Sequence, residues 1–175
     1  MKAVISSTGL WTPTDSISNE ELVESYNAYA DKWNAENAAD IEAGTKDALT
    51  YSDAGFIEKA SGVKSRYVIS KAPILDPSIM APRIAARPDD EPSILAEIAA
   101  NAARDALETA GRKPEDVGAV IVACSNLQRG YPAIAVEVQS ILGTSGFAFD
   151  MSVACSSATF GLETCLLYTS DAADE

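Results

Sequence analysis

The chain has 175 residues, 47% of them hydrophobic and 22% charged, which places it among globular, soluble chains of one domain's size with enough apolar matter to bury an ordinary core. Its 13 basic residues against 26 acidic ones leave a formal charge of −13, which repels a phosphate backbone and an anionic bilayer and argues against nucleic acid and membrane surfaces as partners. The start, Met1 to Ser7, lacks the apolar core and cleavage site of an export signal, and the apolar runs are strand-sized, so a cytoplasmic protein is expected.

Residues 2–9 are rich in β-branched and small polar residues and stop at Gly9, which predicts a first strand. Ser18 followed by Glu21 is a capping box. Leu22, Tyr26, Tyr29 and Trp33 then recur on one face of a helix that ends before Gly44, an aromatic stripe that reads as core packing. Five of the eight prolines fall between Pro73 and Pro92, which predicts a long irregular excursion. A second helix opens near Pro92 and runs through Leu95, Ile98, Ala102 and Ala106 to a stop at Gly111, and a strand follows over 119–125. Tyr131-Pro132 opens a third helix that ends at Gly143, and Phe147 to Asp150 forms a short strand. Strands alternating with helices predict a layered α/β fold.

Residues 165–175, Cys-Leu-Leu-Tyr-Thr-Ser-Asp-Ala-Ala-Asp-Glu, do not continue the pattern before them. A codon choice for them spells a transposase-end adapter of the kind used in sequencing libraries, so they are read as a translated artefact and the genuine segment as 1–164. A natural acidic tail is the alternative. No function is assigned to Cys165.

The chemistry concentrates around Cys155. Three widely spaced cysteines, Cys124, Cys155 and Cys165, suit neither a disulfide framework nor a metal cluster, and no metal is expected. Residues 146–163 read as a strand, a tight turn of small residues and the start of a helix, with Cys155 at the junction. There the unpaired N–H groups and positive dipole end of a helix favour a thiolate and can hold the oxyanion of a thioester under attack. By spacing alone, a cysteine among alanines and serines is more often a small buried core residue. The chain contains no histidine, so no imidazole within it moves protons for a nucleophile. Either the chemistry is unusual or the chain is incomplete.

Gly130-Tyr-Pro-Ala, Val136-Glu-Val-Gln139, Leu142-Gly143, Ala148-Phe-Asp150 and Ala154-Cys155 together resemble the active-site region of the 3-oxoacyl-acyl-carrier-protein synthase III family. Phe56-Ile57, Ser61-Gly62-Val63 and Arg66 resemble its early segment, and Ala110-Gly111 with Pro114 to Val117 its helix-to-strand turn. The resemblance covers most of residues 2–164. It implies a thiolase-like fold, the amino-terminal half of a duplicated αβαβα architecture, with the histidine and asparagine that assist decarboxylation in the other half. It implies an acyltransferase of fatty-acid or related synthesis: Cys155 takes an acyl group from acyl-CoA and condenses it with malonyl-ACP.

The resemblance further implies that Phe56 stacks on the CoA adenine and that Tyr131 crosses a homodimer interface to close the acyl pocket; core packing is the alternative for each. Acyl-CoA and acyl carrier protein are the implied partners, with no separate cofactor. Ala60 falls where a basic CoA contact often sits, and the stretches around 26–50 and 72–91 are longer than in acetyl-primed members, which favours a medium-chain primer. Lys59, Lys64, Arg66 and Lys71 form a basic island that either meets CoA phosphates or is a solvated face. Another thiolase-superfamily acyl-CoA enzyme, or a non-catalytic dimerisation fragment, are the competing readings.

Overall fold

The computed structural model describes residues 3–88 and 90–169. The chain separates into two compact units, one of residues 12–86 and the other of 1–11 with 87–175.

In the first unit, strand β1 (Asp15–Ser18) pairs antiparallel with β2 (Ser65–Val68), with Ile17 opposite Arg66. Helix α1 (Asn19–Glu36) starts where the capping box places it. Ser18 Oγ accepts from the Glu21 N–H at 3.2 Å and Glu21 Oε2 accepts from the Ser18 N–H at 3.0 Å, so two donors without an intrahelical acceptor are satisfied at once. The helix gives way to a short α2 (Ala38–Glu42) before Gly44, as expected. Two asparagines of α1 then secure the returning chain, Asn34 by paired bonds to Leu49 and Asn27 by paired bonds to Ser52. Helix α3 (Ala54–Ser61) is capped by Asp53, whose Oδ1 accepts from the Phe56 N–H at 2.8 Å. The proline-rich stretch is less irregular than the sequence predicts. Pro73 lies inside a short α4 (Lys71–Leu75), where the first turn needs no N–H from it.

The second unit is a parallel βαβ arrangement with two added helices. Helix α5 (Ile94–Ala110) is capped by Ser93 and ends at Gly111, and β3 spans Ala119–Ala123. Helix α6 (Ile134–Leu142) ends at Gly143 and leads into β4 (Phe147–Met151). Gly111 and Gly143 both adopt left-handed backbone at φ 61° and 71°, the conformation that closes a helix and that side chains resist. Strands β3 and β4 pair in register from Ala119 opposite Phe147 to Ala123 opposite Met151. Ala96 and Ala100 of α5 and Ile134 and Val138 of α6 form the buried cluster, with Val120 and Val122 of β3 against it. The alternate residues Ile121 and Ala123 face α7 (Ser157–Thr169), where a Cβ on Gly161 would come within 2.8 Å of the Ala123 Cβ. Helices thus cover both faces of β3, as a layered α/β fold requires.

Three expectations change. Residues 3–9 form no strand, because they lie along α5 and not beside a strand that could supply a ladder. Ser7 Oγ donates to the Ala106 carbonyl at 2.7 Å, and a Cβ on Gly9 would meet the Ala102 oxygen at 2.1 Å. Tyr131 to Ala133 are irregular, and α6 begins only at Ile134. Helix α7 continues through Cys165 to Thr169, with Tyr168 5.0 Å from Phe147 between ring centroids. The rest of the segment read as an artefact, 170–175, lies outside the described residues, as does the first residue of the predicted strand.

Candidate active site

Cys155 is exposed and sits in a single 3₁₀ turn, Ala154–Ser156, between β4 and α7. The sequence expectation of a cysteine at a strand-to-helix junction holds. What shapes the turn is its strain. Ala154 has φ +47°, a left-handed conformation that costs a non-glycine residue of order 1 kcal/mol and more. Ser157, only 3% exposed, closes the turn from behind. Its hydroxyl accepts from the Val153 N–H at 2.9 Å and donates to the Ala154 carbonyl at 2.8 Å. The N–H groups of Ser156 and Ser157 donate to the carbonyls of Val153 and Ala154. Those two donors are therefore occupied within the turn, and the oxyanion role read from sequence does not fall to them in this conformation.

Tyr131, 92% exposed, stands on the loop before α6 in the same unit. The link between that loop and Cys155 runs through Asp150. Helix α6 receives no cap from its own Ala133, and Asp150, reaching from β4, replaces it: Oδ2 accepts from the Ile134 N–H and Oδ1 from the Ala135 N–H, both at 2.8 Å. The loop carrying Tyr131 is thereby fixed to the strand that delivers Cys155. Glu137 steadies the same helix, since its Oε2 accepts from the Ser93 N–H at 2.6 Å and its Oε1 lies 3.4 Å from Arg129 Nε, an ion pair without a hydrogen bond.

Phe56 belongs to the other unit and is 67% exposed. It opens onto a cleft of about 620 Å³ lined by Leu22, Val23, Tyr26, Ile57 and Met80 among others. Leu22 and Tyr26 come from the aromatic stripe read as core packing, so one edge of that stripe faces the cleft. The basic island is largely paired: Lys64 lies 3.2 Å from Glu58, Lys71 2.7 Å from Glu21, and Arg66 donates to Asn19 at 3.0 Å. Lys59 has no ion pair among the described residues. Lys71 and the capping bond together hold the Glu21 carboxyl below the ordinary glutamate range, with the Lys71 hydrogen bond the larger cause.

Cys124 lies one residue beyond β3, half-buried, with its Sγ 3.4 Å from both the N–H and the carbonyl of Asn126. Among the described residues, no group of three or more acidic or cysteine side chains is placed to hold a metal ion, and no helix is long and apolar enough to cross a membrane. Asp150 and Ser157 are the residues that sequence reading missed. An isolated aspartate in the apolar run Phe-Ala-Phe-Asp-Met was a signal, because a carboxylate on a packed strand needs donors. Ser157 gave no signal beyond being small.

No protein-family model matches the chain. The chain is 55% identical over 141 residues to a beta-ketodecanoyl-[acyl-carrier-protein] synthase of Pseudomonas aeruginosa, covering 81% of this chain and 40% of that protein. It is 30% identical over 162 residues to a beta-ketoacyl-[acyl-carrier-protein] synthase III of Granulibacter bethesdensis, covering 92% and 37%. Among solved structures, 3-oxoacyl-[acyl-carrier-protein] synthase III of Aquifex aeolicus superposes with TM-score 0.61 at 21% identity, covering 91% of this chain and 37% of that one. OleA of Xanthomonas campestris gives 0.61 at 19%, covering 93% and 39%. The fold is thiolase-like, and the chain spans about 40% of the length of the relatives it matches.

Proposed function

We propose, from its similarity to beta-ketoacyl-[acyl-carrier-protein] synthases over about 40% of their length, that the whole protein is a condensing acyltransferase of the synthase III family with Cys155 as acyl acceptor. The observation that carries the reading is the exposed Cys155 held on a strained turn between β4 and α7. Its thiolate attacks the thioester carbonyl of acyl-CoA, the tetrahedral adduct collapses, and CoA leaves as a thiolate that takes up a proton. The acyl group then rests on sulfur. Malonyl-ACP loses carbon dioxide, the resulting enolate attacks the acyl-cysteine carbonyl, and Cys155 departs again as thiolate. This chain has no histidine, so the group that assists decarboxylation belongs to the remainder of the protein. Alone, these 175 residues are expected to be inactive.

The relative from Pseudomonas aeruginosa is named for a beta-ketodecanoyl product. Subtracting the two carbons that malonyl contributes leaves octanoyl-CoA as primer, which agrees with the longer stretches around 26–50 and 72–91. Phe56, exposed beside its apolar cleft, stacks on the CoA adenine. The surface ion pairs of Lys64 and Lys71 are each worth under about 1 kcal/mol, little enough for a CoA phosphate to displace their partners. Tyr131, nearly fully exposed, closes the acyl pocket of the second subunit in a homodimer.

The test is product formation. The full-length enzyme given malonyl-ACP with acetyl-CoA or octanoyl-CoA should release beta-ketodecanoyl-ACP from the second, identified by mass. Turnover of acetyl-CoA alone would remove the medium-chain assignment, and turnover of neither would remove the condensing reading.

A further inference from the structure

The Ser157 side chain ties together the two residues that precede the nucleophile. Its oxygen accepts from the Val153 N–H at 2.9 Å and donates to the Ala154 carbonyl, which leads directly into Cys155, at 2.8 Å. The second of those residues, Ala154, carries the left-handed φ of +47°, and Ser157 itself is buried while Cys155 is exposed. A β-carbon in the left-handed region crowds its own backbone, so such a turn persists only when neighbouring bonds outweigh the crowding. An alanine in place of Ser157 would leave the Val153 N–H without its partner and the Ala154 carbonyl with only the backbone N–H of residue 157, and the turn would relax toward ordinary right-handed or extended geometry.

We propose that Ser157 is a positioning residue for Cys155: its hydroxyl staples Val153 to Ala154 and so holds the left-handed turn that presents the thiol to the acyl donor. It touches no substrate and moves no proton in the reaction. The function of the presented thiol rests on the condensing reading above, but the presentation itself does not.

The experiment uses the full-length enzyme and two readouts: alkylation of Cys155 by iodoacetamide, mapped by peptide mass, and its acylation by octanoyl-CoA. Ser157→Ala should slow both by about tenfold, the scale of losing a pair of ordinary hydrogen bonds at the point where the thiol must be aimed. The Michaelis constant for octanoyl-CoA should stay near the parent value, because CoA recognition lies elsewhere. Glycine reaches positive φ without crowding, so adding Ala154→Gly to Ser157→Ala should restore most of the lost rate. A role confined to packing would not be rescued this way.

Parent-like alkylation in a folded Ser157→Ala protein would overturn the proposal. Should that variant fail to fold, the double variant decides: a folded double variant with near-parent alkylation supports the staple, and one that folds yet stays slow, or does not fold at all, overturns it. If the parent is alkylated normally but never acylated, the condensing reading fails while the staple is still tested by alkylation.

Discussion

Replacing Asp150 with alanine should destabilise the full-length protein by about 2–3 kcal/mol. The carboxylate accepts two backbone N–H bonds at 2.8 Å from Ile134 and Ala135, residues that are both fully buried. A hydrogen bond to a charged acceptor contributes roughly 1.5–3 kcal/mol, and loss of an N-cap costs roughly 0.5–2 kcal/mol. Asp150 is only half-buried, which lowers the first figure, whereas the burial of its donors keeps water from replacing it fully. Ala133 already has the extended backbone of an N-cap, φ −60° and ψ 141°. Ala133→Ser in the Asp150→Ala background should therefore recover about 1 kcal/mol. Urea unfolding followed by circular dichroism measures both changes. An Asp150→Ala protein within about 0.5 kcal/mol of the parent would refute the claim that this carboxylate caps α6.

Tyr131→Ala should widen the acyl pocket and shift the acyl-CoA preference toward longer chains, and identical chain-length profiles would remove Tyr131 from the pocket. Phe56→Ala should raise the Michaelis constant for acyl-CoA by a few-fold, the scale of a stacking contact of about 1 kcal/mol, while leaving Cys155 alkylation unchanged. Glu21 is held below the ordinary glutamate range by Lys71 and the Ser18 N–H, so its contribution is present above that range and is lost as pH falls through the depressed folded value. A stability profile from neutral to acid pH should accordingly lose that component in Glu21→Gln, and superimposable slopes for the two proteins would count against the linkage.

Local signals carried most of the fold. The Ser18–Glu21 box, the glycine stops at Gly111 and Gly143 and the apolar periodicity of α5 and α6 each depend on residues within a turn or two, and each stands as read. The failures are tertiary. Residues 3–9 have strand composition, but a strand needs a ladder partner and this segment rests on α5 instead. Strands β1 and β2 went unseen because Asp15–Ser18 has no clear alternation and its partner is far along the chain. The place of Cys155 at a strand-to-helix junction was legible in its run of small residues. Ser157 and Asp150 were not, since their importance lies in which backbone groups the folded turn and the α6 terminus bring to them.

The most direct test of the account is the mass of the full-length enzyme after incubation with octanoyl-CoA, with the modified peptide sequenced. One octanoyl adduct on Cys155 is expected, absent from Cys155→Ala, with the half-buried Cys124 unmodified. An adduct that persists in Cys155→Ala, or that maps to Cys124, would contradict it.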